Sequence, residues 1–312
     1  MTSLLTIRDN LKAFCSRYDF ILTPIAKFIL AMIIFTSTNQ RFGNVAVLDN
    51  RMLMIMLSAI CAVIPVEFTA AIASIMLILQ TAKVSLDAGL LTVGFVVIFY
   101  CAYMRFFPKT GVVIFLVPIF YACHITYALP IVLAFLIGPS VVVPVIFGVF
   151  LYQYEICIGE LVGVMAAATG EDDAVVGYQY IISGMIDNKE MMLTFVVFAC
   201  VILITYAIYR LSFTNSWIVA FCVGGFMNVV LFLFGSVTMM LEVQILPILL
   251  GTVVGIVVAV IMQFIKGIVD YQKTDYLQFE DDEYYYYVKA IPKLSVAGRK
   301  KNVKHINSKM QN

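Results

Sequence analysis

Glu67 and His124 are the side chains most able to do chemistry, because each interrupts an apolar stretch. Glu67 follows Ile64-Pro65-Val66 within the run Met52–Lys83, and His124 opens the polar bend His124-Ile125-Thr126-Tyr127 shortly before Pro130. An ionisable group at membrane depth costs roughly 2.5–3.5 kcal/mol at a helix centre, so its presence marks a pathway. A buried carboxylate takes up a proton readily, and an imidazole relays one. Thr69, Thr126, Tyr127, Asn228 and Gln244 would add neutral ligands, and half-helix ends at both bends would add partial charge. These seven residues are the expected substrate- or ion-binding set. Lys27, within the first apolar run, is expected to snorkel or serve structure.

Enzymatic signals are weak, and no enzyme activity is expected. The chain has two histidines, His124 and His305, and no HExxH pattern. Gly138-Pro139-Ser140 has the Gly-x-Ser spacing of a serine nucleophile, but only His124 would serve as base, across a hairpin bend. No Walker A or GxGxxG sequence is present, so neither nucleotide binding in the usual way nor ATP-driven work is expected. The seven cysteines are scattered singly and read as small buried hydrophobes. No metal, cofactor or nucleic-acid partner is expected.

The elements that must hold these residues are membrane helices. The chain is 62% hydrophobic and 12% charged, against about 25% charged for a soluble domain, and its mean hydropathy is +1.00. A soluble protein is excluded on that balance. The expected fold is all-α: a polytopic helical membrane protein with six full spans, at 20–35, 88–104, 140–158, 192–209, 216–234 and 246–265. Two short bent hairpins are added, in the repeat-like units 52–104 and 111–158. Their arms are short against the roughly 20 residues a crossing takes. As re-entrant hairpins they would form an inverted repeat, a plan of secondary transporters; as spanning hairpins they would raise the total to ten crossings. Charge placement does not separate these two readings, since both keep every other loop on its side.

Residues 1–19 form an expected interfacial helix, 20–265 the transmembrane domain, and 266–312 a cytosolic tail. The tail and the N-terminal segment are rich in Lys and Arg, so both termini are expected inside, in the plasma membrane. No cleavable signal peptide is evident in the polar start. Residues 155–190 are read as an acidic outer loop, Trp217 as an interfacial anchor, and the Gly251/Gly255 spacing as close packing within the bundle. In the tail, four acids (Glu280–Glu283) precede Tyr284, Tyr285, Tyr286, Tyr287 and Val288. Such a run suits a β-strand, which needs a sheet edge to join, so these five residues are the expected partner-binding set. The basic end, 293–312, would meet anionic lipid or a partner.

Two functions follow. The first is a small secondary transporter or permease subunit moving a solute or ion between the hairpins. The second is a membrane scaffold, in homo- or hetero-oligomers, recruiting a cytosolic protein through the tail. A permease whose ATPase partner docks on the tail would join them.

Overall fold

A bilayer-length apolar run must satisfy every backbone N–H and C=O internally, which within one segment only a helix does. The structure, a computed structural model, describes residues 14–42, 50–167, 173–211, 215–266, 275–280 and 285–290, with side chains for 14–40, 50–161, 180–211 and 215–265. Its helices are α1 (Asp19–Phe42), α2 (Arg51–Val63), α3 (Val66–Val84), α4 (Leu86–Phe99, continued by a π turn over Tyr100–Met104), α5 (Val113–Ala122), α6 (Leu129–Leu136), α7 (Val142–Ala167), α8 (Asp173–Ile186), α9 (Lys189–Tyr209), α10 (Ser216–Met239) and α11 (Ile245–Lys266). Among the described residues seven are long and apolar enough to cross a membrane: α1, α3, α4 with its π turn, α7, α9, α10 and α11. Their outward faces are apolar, as with the exposed Phe226, Phe234 and Val237 of α10 and Leu246, Leu250 and Ile261 of α11. A multi-pass helical bundle facing lipid accounts for exposed apolar surface on this scale.

Contacts between helices fix their directions. Lys27 Nζ donates to Ile64 O (3.4 Å), and Ser58 Oγ meets Met32 Sδ (3.9 Å), so α2 runs back along α1. Gln80 Nε2 donates to Asn39 Oδ1 (3.0 Å), so α3 turns again and follows α1. Thr92 Oγ1 donates to Thr81 Oγ1 (2.9 Å) near the start of α4, which returns antiparallel to α3. The bend at Ile64–Glu67 thus reaches the level where α4 ends: Glu67, Tyr100, Arg105 and Pro108 line one small cavity. This end of the bundle is called the Arg105 end, and the opposite one the Glu190 end.

The second hairpin stops halfway. Tyr103 Oη donates to Ser140 O (3.0 Å) at the Arg105 end, where α5 and α7 both begin. The two helices run side by side until Tyr121 stacks on Tyr152, midway along α7, with ring centroids 3.8 Å apart. There the chain bends, and α6 goes back to the Arg105 end, its Phe135 meeting Tyr209 in the last turn of α9 (5.4 Å). All residues from Leu129 to Phe135 are buried, and of α6 only the last residue, Leu136, is exposed. An apolar helix buried along nearly its whole length is a core element.

Several expectations change here. Six long helices become seven, because α3 is 19 residues and not the short arm 68–79. Its polar residues Gln80 and Thr81 extend it because they have partners in the bundle: Asn39 for Gln80, and Thr92 for Thr81. The two repeat-like units are unequal: the bend of the first lies at the level where α4 ends, and that of the second beside the middle of α7 and α10. The acidic loop also starts later than residue 155, since α7 carries Glu155 and Glu160 and runs to Ala167. Lys27 has a structural role, capping the carbonyl end of α2 at Ile64. Gly251 and Gly255 pack within the bundle, against Tyr127 and Ala128. Residues 1–13 of the expected interfacial helix lie outside the described residues, as do 168–172 of the acidic loop, Tyr284 and the basic stretch 293–312.

Gly138, between α6 and α7, has φ 98° and ψ −163°. That region is open essentially to glycine alone and costs other residues about 1–3 kcal/mol. An added Cβ would also come within 3.2 Å of the Tyr206 ring. Gly138→Ala is expected to destabilise the fold by about 2 kcal/mol in detergent unfolding; a variant as stable as the parent would show the turn to be unconstrained.

In the tail, β1 (Asp275–Glu280) and β2 (Tyr285–Ala290) pair antiparallel, with Glu280 opposite Tyr285 and Leu277 opposite Val288. The tyrosine-rich segment therefore pairs with a strand of its own chain, Tyr287 opposite Gln278 and Tyr286 opposite Phe279.

Candidate functional site

The bend between α5 and α6 ends α5 with a residue in the left-handed conformation. His124 has φ 57°. Its N–H donates to Tyr121 O (3.1 Å), and that of Ile125 to Phe120 O (3.1 Å). These two bonds make the paired closure usual when glycine ends a helix. Histidine is among the non-glycine residues enriched there. His124→Gly is expected to keep the bend, with thermal stability equal or slightly higher, because glycine adopts this conformation freely. A clear loss of stability would mean that the imidazole itself holds the tip.

The tip needs interior hydrogen bonds, because its irregular backbone lies within the bundle beside the middle of α10. Asn228, fully buried midway along α10, supplies one. Its Nδ2 donates to Tyr127 O (3.1 Å) and to Thr252 Oγ1 (2.9 Å), while Thr252 Oγ1 donates to Ile248 O (2.6 Å). Both neighbours act as acceptors toward Asn228, which fixes the orientation of its amide. Asn228 Oδ1 has no hydrogen-bond partner. Gly251 and Gly255 let α11 close on the tip from the other side, their added Cβ atoms falling 3.0 Å from Tyr127 Cβ and 2.8 Å from Ala128 Cα.

Above this floor, toward the Glu190 end, is a cavity of about 490 Å³. Tyr121, His124, Thr126 and Tyr127 form the hairpin side. Across from them α7 contributes Tyr152, Gln153, Cys157 and Glu160, and α8 contributes Tyr180. Asn188 and Glu190, at the start of α9, complete the rim. Asn188 caps α9 by accepting from Met191 N (2.9 Å), and Glu190 in the first turn suits the positive end of the helix dipole. A second cavity of about 300 Å³ shares Tyr127, Glu190 and Pro247 with the first and adds Glu242 and Gln244.

Among the described residues no lysine or arginine lines either cavity, whereas Glu160, Glu190 and Glu242 do. A concave surface lined by one sign of charge concentrates the opposite sign. Tyr180 Oη donates to Glu160 Oε2 (3.1 Å), and this bond to the carboxylate holds the Tyr180 phenol above its usual range.

Five of the seven expected residues thus converge: His124, Thr126 and Tyr127 at the tip, Asn228 beneath it, and Gln244 in the adjoining cavity. Glu67 and Thr69 do not join them. Glu67 lies in the first turn of α3 at the Arg105 end, lining a separate cavity of about 330 Å³ with Arg105, and Thr69, next but one in sequence, is buried. Ser140 and His124 stand at opposite ends of α6. Sequence reasoning missed Tyr121, Tyr152, Gln153, Glu160, Tyr180 and Glu190. One signal was present: Tyr121 and Tyr127 flank His124 at equal spacing.

No family model, curated protein or solved structure matches the chain.

Proposed function

We propose that the chain is a small secondary transporter or permease subunit, and that its solute or ion passes through the cavity over the tip of the α5–α6 hairpin. The observation that carries this reading is a short hairpin, with Leu129–Phe135 of α6 buried, whose polar tip floors a carboxylate-lined cavity within the bundle. Polar irregular backbone at that depth is tolerated where it lines a wet cavity, and half-helices meeting at the midplane are how carriers build sites. On this reading α5–α6 is re-entrant from the cytoplasm. We take the end with Arg105, Lys109 and Arg210 as cytoplasmic, although Arg51, Lys83 and Lys189 lie at the other, and on that placement the cavity faces outward across the plasma membrane. The tip and its seat on Asn228, Gly251 and Gly255 are the barrier to the other side. The pathway follows one hairpin, and Glu67 is a carboxylate at the cytoplasmic surface.

Thiol labelling tests the wet pathway. The native Cys157 lines the cavity and, kept as the only cysteine, is expected to react with membrane-impermeant reagents applied from outside. His124→Cys in a cysteine-free chain is expected to do the same. Protection of both positions from both sides would sink the carrier reading.

A second reading has its own observation. β2 is paired along one edge by β1, and among the described residues nothing pairs with its other edge. A two-stranded hairpin is marginal alone, so a cytosolic partner adding a strand there would make the chain a scaffold. Deleting 275–312 is expected to abolish co-purification of that partner while leaving uptake intact. Unchanged complexes would remove the scaffold reading.

A further inference from the structure

We infer that the solute held in this cavity is a neutral polyhydroxylated molecule, a polyol or sugar, read by Gln153 of α7 and Thr126 of the hairpin tip; this rests on the carrier reading above. Both residues line the cavity, Thr126 on the hairpin side and Gln153 across from it. Gln153 is 8% exposed and Thr126 5%. Among the described residues neither side chain has a hydrogen-bond partner. A buried amide or hydroxyl left without a partner destabilises a fold, and the large majority of such groups are satisfied. Two of them lining one cavity are satisfied together when a bound molecule brings the missing donors and acceptors. At the rim, Asn188 Oδ1 accepts from Met191 N (2.9 Å), which leaves the donors of its Nδ2 to the same molecule.

The charged and aromatic groups of the cavity already have partners within the protein. Glu160 Oε2 accepts from Tyr180 Oη (3.1 Å), and Glu190 sits in the first turn of α9, at the positive end of the helix dipole. Tyr121 and Tyr152 stack on each other with centroids 3.8 Å apart, so they do not form an open cage for an ammonium group. What remains open is uncharged: the Gln153 amide, which donates and accepts, and the Thr126 hydroxyl, which does both. A solute hydroxyl also donates and accepts, so it matches either edge of the amide and donates to a carboxylate as well. An anion is repelled by Glu160 and Glu190. An alkyl solute would leave both buried groups unmet, and a site built to bond a hydroxyl strongly rejects the analogue lacking it. The volume of about 490 Å³ falls within the range of small-molecule sites.

The experiment uses the full chain, in lipid nanodiscs for binding and in proteoliposomes for uptake. Calorimetry compares glycerol, myo-inositol and glucose with choline and with gluconate. The best-bound polyol is expected to bind about tenfold tighter than choline or gluconate, a gap that one further hydrogen bond supplies. Gln153→Leu is expected to lose about tenfold in affinity for that polyol. Its thermal unfolding without ligand is expected to stay level or shift upward, because a buried amide without a partner has been removed. A glutamine that merely held helices together would give the opposite sign, a less stable chain. Thr126→Val, of similar shape, is expected to weaken the same polyol by about tenfold, and it keeps the test alive if Gln153→Leu does not fold. Absence of polyol binding, or choline binding tighter than every polyol, overturns the inference. So does parent-like polyol affinity in both variants. Uptake of choline or of another solute with no polyol bound overturns the inference and leaves the carrier reading standing. Polyol binding that depends on Gln153, with no uptake of any solute, overturns the carrier reading and upholds the cavity as a polyol site.

Discussion

Leucine in place of Gly255 is expected to unseat the hairpin tip, cost about 3 kcal/mol of stability, and abolish uptake. A bare Cβ at this position would stand 2.8 Å from Ala128 Cα and 3.1 Å from Ala128 O. Both are backbone atoms of a bend that α9, α10 and α11 hold in place, so no rotamer change relieves the clash. Two controls separate this from a general intolerance of α10 and α4 to larger residues. At Gly225 the nearest atom to an added Cβ is Ile256 Cδ1 (2.6 Å), the mobile end of a side chain, and Gly225→Ala is expected to cost no more than about 1 kcal/mol. At Gly94 an added Cβ meets nothing within 4 Å, and Gly94→Ala is expected to stabilise by up to about 1 kcal/mol through helix propensity. Unfolding in mixed micelles with rising dodecyl sulfate ranks the three. If Gly255→Leu unfolds alongside Gly225→Ala, the tip is not seated on α11.

Asn228→Leu is expected to cost about 1–2 kcal/mol and to cut uptake by roughly a hundredfold, the scale that follows from misplacing a site by about an ångström. Leucine fills a similar volume, so packing changes little and the effect isolates the amide. Without Nδ2, the carbonyl of Tyr127 loses its donor at mid-depth, where water cannot replace it if the tip is sealed. Thr252→Val makes the comparison sharper. It removes one acceptor but leaves the bond to Tyr127 in place, so its uptake is expected to fall far less. Combining both substitutions measures their coupling directly. A parent-like Asn228→Leu in both stability and uptake would mean that the tip holds its shape without α10.

The helices were legible because long apolar runs leave the backbone few alternatives. The second hairpin was legible too, as two short runs around a polar break. What the sequence hid was partnership. Gln80, Thr81 and Asn39 read as ends of spans, yet Gln80 with Asn39, and Thr81 with Thr92, satisfy one another inside the bundle, so α1 and α3 run on past them. Hydropathy scores a polar residue as though it faced lipid and cannot see its neighbour. The same blindness placed Glu155 and Glu160 in a loop, when α7 carries both. Glu67 and His124 matched each other by context alone, each at a bend in an apolar run. Depth separates them: one bend lies at the level of Arg105, the other at the level of Asn228. Depth is a tertiary property, set by which helices flank each hairpin, and no local pattern encodes it.

The burial of Leu129–Phe135 in α6 also constrains how the protein is made. The helices that pack on it, α9 and α10, both follow it in the chain. When α5 and α6 leave the ribosome, the pocket that will receive them does not yet exist, and the bend at His124–Tyr127 has no Asn228 to donate to it. The neighbours of α6 are synthesised only afterwards, so its packing is completed once α9 and α10 have been made.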